Sequence, residues 1–228
     1  MKKLTIVIDG PAGAGKSTVS QRLAKRLHYL YLDTGALYRA IALAAHEKNI
    51  PPTDFQEIRW LCQRTSILFK KEKGKQKVYL NRKDVTRAIR TPHMSLLASR
   101  YSKLPVVRKG LLWHQRHLGE QGGIVAEGRD LGTVVFPKAE LKFFLVASLK
   151  ERAKRRYLEL KRTDKKSSLK NVEKEIQKRD REDRQRALAP LKKAKDAIEI
   201  DTTWMTIDQV VEEMYKKFQD KIHENYCS

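Results

Sequence analysis

Apolar residues along this chain gather in short continuous runs, and helical periodicity fills the stretches between them. The run LTIVI (4–8), rich in β-branched side chains, predicts a strand buried on both faces. Glycines follow it, and then Val19, Leu23 and Leu27 recur at helical spacing. YLYL (29–32) predicts a second strand, followed by a helix that turns Leu37, Ile41 and Ala45 inward and ends before Pro51. Thr53 and Gln56 predict a capping box that opens a third helix with Phe55, Leu61 and Cys62 buried. Between 66 and 86, two β-rich runs flank a charged turn around Gly74, which predicts a small hairpin insert. Thr91-Pro92 and Leu104-Pro105 put proline in the first turn of two further helices. GGIVAEG (122–128) and LKFFLVAS (141–148) predict the third and fourth core strands. Ser148 and Glu151 cap a basic helix, TDKKSS (163–168) reads as mobile, and Ser168 caps another helix. AIEIDTT (197–203) predicts the fifth strand. Thr206 and Gln209 cap the last helix, whose apolar face takes in Ile207, Val210, Val211 and Met214. Strands alternating with helices predict an α/β fold, a parallel sheet covered by helices on both faces.

Length and composition narrow the function classes. At 228 residues the chain can build one sizeable core. No apolar run is long enough to span a bilayer, and the first one stops at Asp9, too short for a signal peptide. The two cysteines, Cys62 and Cys227, match no metal or redox spacing and are expected to be reduced thiols in the cytoplasm. The net charge is +22, from 49 Lys and Arg against 27 Asp and Glu. Such an excess attracts phosphates of any kind. It concentrates between residues 150 and 195, which hold 19 Lys and Arg against 8 Asp and Glu. Taken singly, most of these lysines read as solvated surface.

The candidate chemistry begins at IDGPAGAGKST (8–18). Gly10, Pro11, Ala12, Gly13, Ala14, Gly15, Lys16 and Ser17 fit G-x-x-x-x-G-K-[ST], the P-loop. Glycines let the loop curl so that successive amides point inward, and the following helix adds its positive end. Lys16 is then in reach of the β- and γ-phosphates, the Ser17 hydroxyl of Mg²⁺, and Thr18 of the α-phosphate. The order of the glycines disfavours a dinucleotide fingerprint. A P-loop implies a nucleoside triphosphate but leaves GTPases, ATPases and small-molecule kinases open.

The acceptor is sought in three polar clusters at or just after strand ends, where open α/β sheets bind ligands. LDTGALYR (32–39) holds Asp33, Thr34, Tyr38 and Arg39; EGRDLGTVVFP (127–137) holds Arg129 and Asp130. In KRDREDRQRALAPL (178–191), arginines 179, 181, 184 and 186 interleave with Asp180, Glu182 and Asp183. Arginines that converge on a pocket recognise phosphate by forked hydrogen bonds, and carboxylates among them suit sugar hydroxyls and base amines.

Four segments, IDGPAGAGKST, YLDTGALYRA, EGRDLGTVVFP and the arginine run ending RALAPL, occur in an order that resembles the bacterial cytidylate kinases, the CMP/dCMP kinases of the nucleoside monophosphate kinase group. The resemblance runs from about residue 4 to about residue 215. It implies a single P-loop NTPase domain, 1–228, in three layers with a five-stranded parallel sheet. The core would comprise 1–65, 90–148 and 190–228, with a monophosphate-binding insert of antiparallel strands at about 66–90 and a helical lid at about 149–189. It implies ATP as donor, CMP or dCMP as acceptor, and Mg²⁺ carried with ATP and held by Ser17. Lys16, Arg39, Arg129 and Asp130 become the catalytic set. Arg39 and Arg129 would hold the CMP phosphate, and Thr34, Arg179 and Asp183 the ribose. Ser99, Arg108, Asp130 and Arg186 would read cytosine. Arg152 and Arg156 in the lid would contact the triphosphate. Thr34 stands where some members carry serine, which keeps the hydroxyl and adds a methyl near the ribose. The expected enzyme is a cytoplasmic monomer with no membrane and no specific nucleic acid partner. A P-loop kinase with another acceptor and an RNA-binding protein with an auxiliary P-loop remain the rivals. The second is weakened because Tyr157 stands alone as an aromatic in the basic run.

Overall fold

The computed structural model describes residues 3–72, 75–161 and 168–227. In chain order the elements are β1 (Thr5–Asp9), α1 (Lys16–Leu27), β2 (Leu30–Asp33), α2 (Thr34–Glu47), α3 (Phe55–Arg64), β3 (Ile67–Glu72), β4 (Lys75–Leu80), β5 (Lys83–Asp84), α4 (Pro92–Tyr101), α5 (Pro105–Gly119), β6 (Ile124–Glu127), β7 (Leu141–Val146), α6 (Leu149–Lys161), α7 (Leu169–Gln185), β8 (Ile198–Asp201) and α8 (Ile207–Cys227). They form two compact units, Met1–Tyr31 with Gln121–Ser228, and Leu32–Glu120.

A five-stranded parallel sheet runs in the order β2-β6-β1-β7-β8, and the first unit holds β1, β6, β7, β8 and the start of β2. β1 lies at the centre, pairing in parallel with β6 and β7, and β7 pairs in parallel with β8. This explains why LTIVI carries no polar alternation. Ile6, Val7 and Ile8 have no exposed surface, because helices cover both faces of a parallel sheet. Ile6, Ile8, Leu23, Phe143 and Leu145 share one core with Val210 and Met214 of α8. The box at the start of α8 is reciprocal: Gln209 N donates to Thr206 Oγ1 at 3.3 Å, and Thr206 N donates to Gln209 Oε1 at 2.8 Å. Ile207, expected on the apolar face, is 39% exposed. It sits in the first turn, before the helix reaches the core. The caps of α6 and α7 are formed by Ser148 and Ser168, which accept from Glu151 N and Asn171 N. Residues 163–167 of the segment read as mobile lie outside the described residues.

The second unit packs α2, α3, α4 and α5 around Leu37, Ile41, Ile58, Ile89 and Leu111. A separate antiparallel sheet, β3-β4-β5, joins them. β3 and β4 pair from Ile67 opposite Leu80 to Glu72 opposite Lys75, as the two β-rich runs predict; Gly74 lies outside the described residues. β5 was not expected. It follows Asn81 and Arg82, whose φ of +48° and +70° are the left-handed pair that a two-residue hairpin turn demands. At α3 the structure corrects the cap. Asp54 is the N-cap residue, its Oδ1 accepting from Glu57 N at 3.0 Å, so the helix opens one residue later than Thr53 implied. That places Phe55 at the first helical position, 56% exposed, while Leu61 and Cys62 are buried as expected.

Candidate active site

In the first unit, β1 ends at Asp9 and the chain enters the glycine loop. Gly10 has φ +148°, and a Cβ there would lie 2.2 Å from the Leu145 carbonyl oxygen, so only glycine fits against β7. Gly13 has φ +77° and lies against Arg152 of α6, whose Cβ a methyl would meet at 3.0 Å. The loop leads directly into α1, with Lys16 as its first residue. Lys16 is buried, and its Nζ donates to the Pro11 carbonyl at 2.6 Å. Burial, followed by the charge of Arg129, pulls its ammonium well below the ordinary lysine value, and Glu127 and Asp9 act against that pull. Ser17 and Thr18 face solvent in the first turn of α1. The Ser17 hydroxyl donates to Glu127 Oε2 at 2.9 Å, and the Tyr31 hydroxyl donates to the other oxygen of the same carboxylate.

Two of the three polar clusters meet in this unit. Arg129 Nε donates to Asp183 Oδ2 at 3.0 Å and its Nη1 to the Gly128 carbonyl at 3.1 Å. Arg186 Nη2 donates to Asp130 Oδ1 at 3.2 Å, and Arg186 Nη1 lies 4.0 Å from Asp183. Burial pushes the Asp183 carboxyl up, but the charges of Arg129, Arg179 and Arg186 and the Arg129 hydrogen bond outweigh it and hold the group below the usual carboxylate range. Segments more than fifty residues apart in the chain thus form one network of guanidinium and carboxylate groups. Arg152 is turned inward and buried. It pairs with Asp180 at 2.7 Å and donates to the carbonyls of Ala147 at 2.9 Å and Ala12 at 3.0 Å. Arg156 is 40% exposed and pairs with Glu159 at 2.9 Å on the outer surface of α6.

The second unit carries the remaining predicted residues. Asp33 caps α2 by accepting from Ala36 N at 2.9 Å, and its other oxygen accepts from Arg39 Nη2 at 2.8 Å. Arg39 Nε is buried with no hydrogen-bond partner among the described residues. Thr34, the first residue of α2, is buried. Ser99 and Arg108, which the pattern alone would leave on helix surfaces, are both half-buried and approach the same residue. Ser102 Oγ donates to the Ser99 carbonyl at 3.1 Å, and Arg108 Nη1 donates to the Ser102 carbonyl at 3.2 Å. The Arg108 guanidinium lies 5.6 Å from the centre of the Tyr38 ring.

Two carboxylates escaped the sequence reading. Asp9 accepts from Leu131 N at 3.0 Å and Gly132 N at 2.8 Å, which fastens the end of β1 to the segment just past Asp130. Its carboxyl is raised to about 6, chiefly by burial. Glu127 is the last residue of β6 and the partner of Ser17. Both stand at the C-terminal end of a core strand beside a motif already singled out, and that position was the available signal. A hydroxyl beside a carboxylate is oxygen chemistry that suits a hard divalent cation bound mainly through phosphates. Among the described residues no group of three or more His, Cys, Asp and Glu forms a protein cage for a metal. No helix among them is long and apolar enough to cross a membrane.

The central β1, the curled glycines and the buried lysine at the head of α1 define a P-loop protein that binds nucleoside triphosphate. The family profile described as Cytidylate kinase matches residues 6–220. The cytidylate kinase of Syntrophotalea carbinolica is 53% identical over 213 residues, 93% of this chain and 91% of that one. That of Geobacter sulfurreducens is 47% identical over 211 residues, covering 92% and 91%. The bifunctional pantoate ligase/cytidylate kinase of Prochlorococcus marinus (strain NATL2A) is 48% identical over 225 residues, 98% of this chain, which spans 44% of that protein. The chain belongs to the cytidylate kinase family, the nucleoside monophosphate kinases that use ATP to phosphorylate CMP and dCMP.

Proposed function

We propose the following division of labour for the reaction ATP + (d)CMP → ADP + (d)CDP. An anionic oxygen of the CMP phosphate attacks the γ-phosphorus, a new O–P bond forms, and the bond from the γ-phosphorus to the β–γ bridging oxygen breaks as ADP leaves. The nucleophile is already ionised near neutral pH, so no general base is required. Alignment and charge neutralisation supply the acceleration. The amides of residues 10–18 cradle the donor phosphates, and Lys16 neutralises charge that builds on them. Arg129, held by Asp183, and Arg39, held by Asp33, take the phosphate of the acceptor. Thr34, Arg179 and Asp183 take its ribose, and Ser99, Arg108, Asp130 and Arg186 its base. Asp130 suits that task because cytosine offers an amino group to a carboxylate. Arg152 and Arg156 belong to the lid, about 149–189, which excludes water from the donor. The insert, about 66–90, completes the monophosphate region. Mg²⁺ carried with ATP would supply positive charge against the triphosphate. Ser17, with Glu127 beside it, would hold it.

The observation that carries this reading is the buried Lys16 lying within the field of Arg129, in the unit that also binds Arg129 to Asp183 and Arg186 to Asp130. The reading makes the enzyme a cytoplasmic monomer without a specific nucleic acid partner; RNA binding that fades as salt rises is all the surface charge implies. Steady-state assays with ATP–Mg²⁺ and CMP, dCMP, UMP, AMP or shikimate test the acceptor. CMP and dCMP are expected to exceed AMP and shikimate in kcat/KM by at least about a hundredfold, since a site built to hydrogen-bond one base rejects another strongly. Preference for any acceptor other than a cytidine or deoxycytidine monophosphate overturns the assignment.

A further inference from the structure

A loop that turns its amides inward must find partners for its carbonyls elsewhere. Pro11 accepts from Lys16 within the loop, and Ala12 accepts from Arg152 of α6. The Ala14 carbonyl faces a residue remote in sequence: Thr202 Oγ1, 3.4 Å away, just past the end of β8. Thr202 is only 2% exposed. Its amide donates to the Val146 carbonyl at 2.8 Å, which fixes its backbone between β7 and α6.

The Thr202 hydroxyl has one proton and two carbonyls to give it to, Ala14 at 3.4 Å and Val146 at 3.1 Å. Its orientation is set from the other side. Arg155, one turn after Arg152 on α6, donates Nη1 to Thr202 Oγ1 at 3.1 Å and Nη2 to the Thr202 carbonyl at 2.6 Å. Its Nε donates to Glu151 at 3.0 Å, so the fork cannot swing away without losing three bonds. The guanidinium takes one lone pair of the oxygen and turns the hydroxyl proton toward the two carbonyls, which share it, Val146 at the shorter distance and Ala14 at the longer. A Cβ on Gly15 would stand 3.9 Å from Arg155 Nη1, so this fork packs directly behind the loop.

We propose that Arg155 and Thr202 are a positioning pair for the donor triphosphate. Through the Ala14 carbonyl they hold the loop in the curl whose amides receive phosphate, and they do so without touching the nucleotide. The proposal rests on the reading that this loop binds the donor, and it adds that the first lid helix sets the loop's shape from behind.

Thr202→Val keeps the shape of the side chain and removes the hydroxyl. In the full-length protein, calorimetric Kd values for ATP and for inorganic tripolyphosphate are expected to rise together by about tenfold, the scale of one lost buried hydrogen bond. KM for ATP should follow, and KM for CMP should stay within about twofold. Thr202→Ser should restore ATP and tripolyphosphate binding to within about twofold. Arg155→Lys, which cannot reach both oxygens with one planar fork, should reproduce the defect, and it carries the test if Thr202→Val fails to fold. ATP binding that weakens while tripolyphosphate binding does not would reveal a base or sugar contact and overturn the proposal. So would unchanged binding of both, or KM values for ATP and CMP that rise in parallel with a lowered Tm. Wild-type protein that binds tripolyphosphate but phosphorylates no cytidine monophosphate would defeat the acceptor assignment and leave this pair to be judged by the binding data. Wild-type protein that binds neither ATP nor tripolyphosphate would defeat both.

Discussion

The P-loop and the arginine network lie in one unit and are made in opposite ways. The loop is contiguous, from Gly10 to Ser17, and its shape is a property of the backbone: glycines at positive φ, a strand before it and a helix after it. The network is assembled. Arg129 and Asp130 follow β6, Asp183 and Arg186 come from the end of α7, and each charge is fixed by a partner from the other segment. A contiguous site can lose its chemistry and keep its fold. An assembled site in which carboxylates restrain half-buried guanidiniums loses both together, because a charge left without its partner is costly where water reaches it poorly.

The sharpest way to break this contrast is Lys16→Met. It should lower kcat by three orders of magnitude or more, about 4 kcal/mol of lost transition-state stabilisation, with Tm close to wild type. Wild-type-like turnover would remove Lys16 from the chemistry. Asp183→Ala strikes the assembled region. It strands Arg129 and should cost about 3 kcal/mol in urea unfolding while also raising KM for CMP. An activity loss with full stability would show that the network is not structural. Asp9 joins the two regions and should make stability depend on pH. Its folded value, about 6, lies above its ordinary 3.8, so its contribution is fully present below pH 3.8 and is lost as pH rises through 6. Relative to Asp9→Asn, the wild type should therefore lose on the order of 2 to 3 kcal/mol between pH 4 and pH 7. Unfolding midpoints that shift equally in both proteins would refute this. The smallest effect serves as a control in the second unit. Burial raises the Cys62 thiol to about 11, so peptide-resolved alkylation at pH 8 should be slow in the native protein and fast in urea. Rapid native labelling at Cys62 would show that this core opens readily.

Local signals in the sequence were reliable where the structure uses them locally. The Thr206–Gln209 box, the Ser148 and Ser168 caps and the first-turn prolines at 92 and 105 all stand where the pattern put them. They needed only neighbours a few residues away. The errors share a cause. Phe55 and Ile207 are apolar residues in first helical turns, and whether such a residue is covered depends on the surface its helix meets. Thr53 and Asp54 are both competent caps, and hydrogen bonding to Glu57 N selects Asp54 only once the chain's entry into α3 is set. β5 was missed because Asn-Arg lacks the glycine that usually announces such a turn.

By itself the sequence determined the parallel α/β class, the phosphate-binding loop and the cytidylate kinase family, because strand periodicity, glycine placement and motif order are written in contiguous residues. Tertiary structure alone decided the strand order β2-β6-β1-β7-β8, the capture of Arg129 by Asp183 and of Arg186 by Asp130, and the grip of Arg155 on Thr202 behind the loop. Those depend on which distant side chains arrive at the same point, and buried charges accept only the partners that packing brings within hydrogen-bond reach.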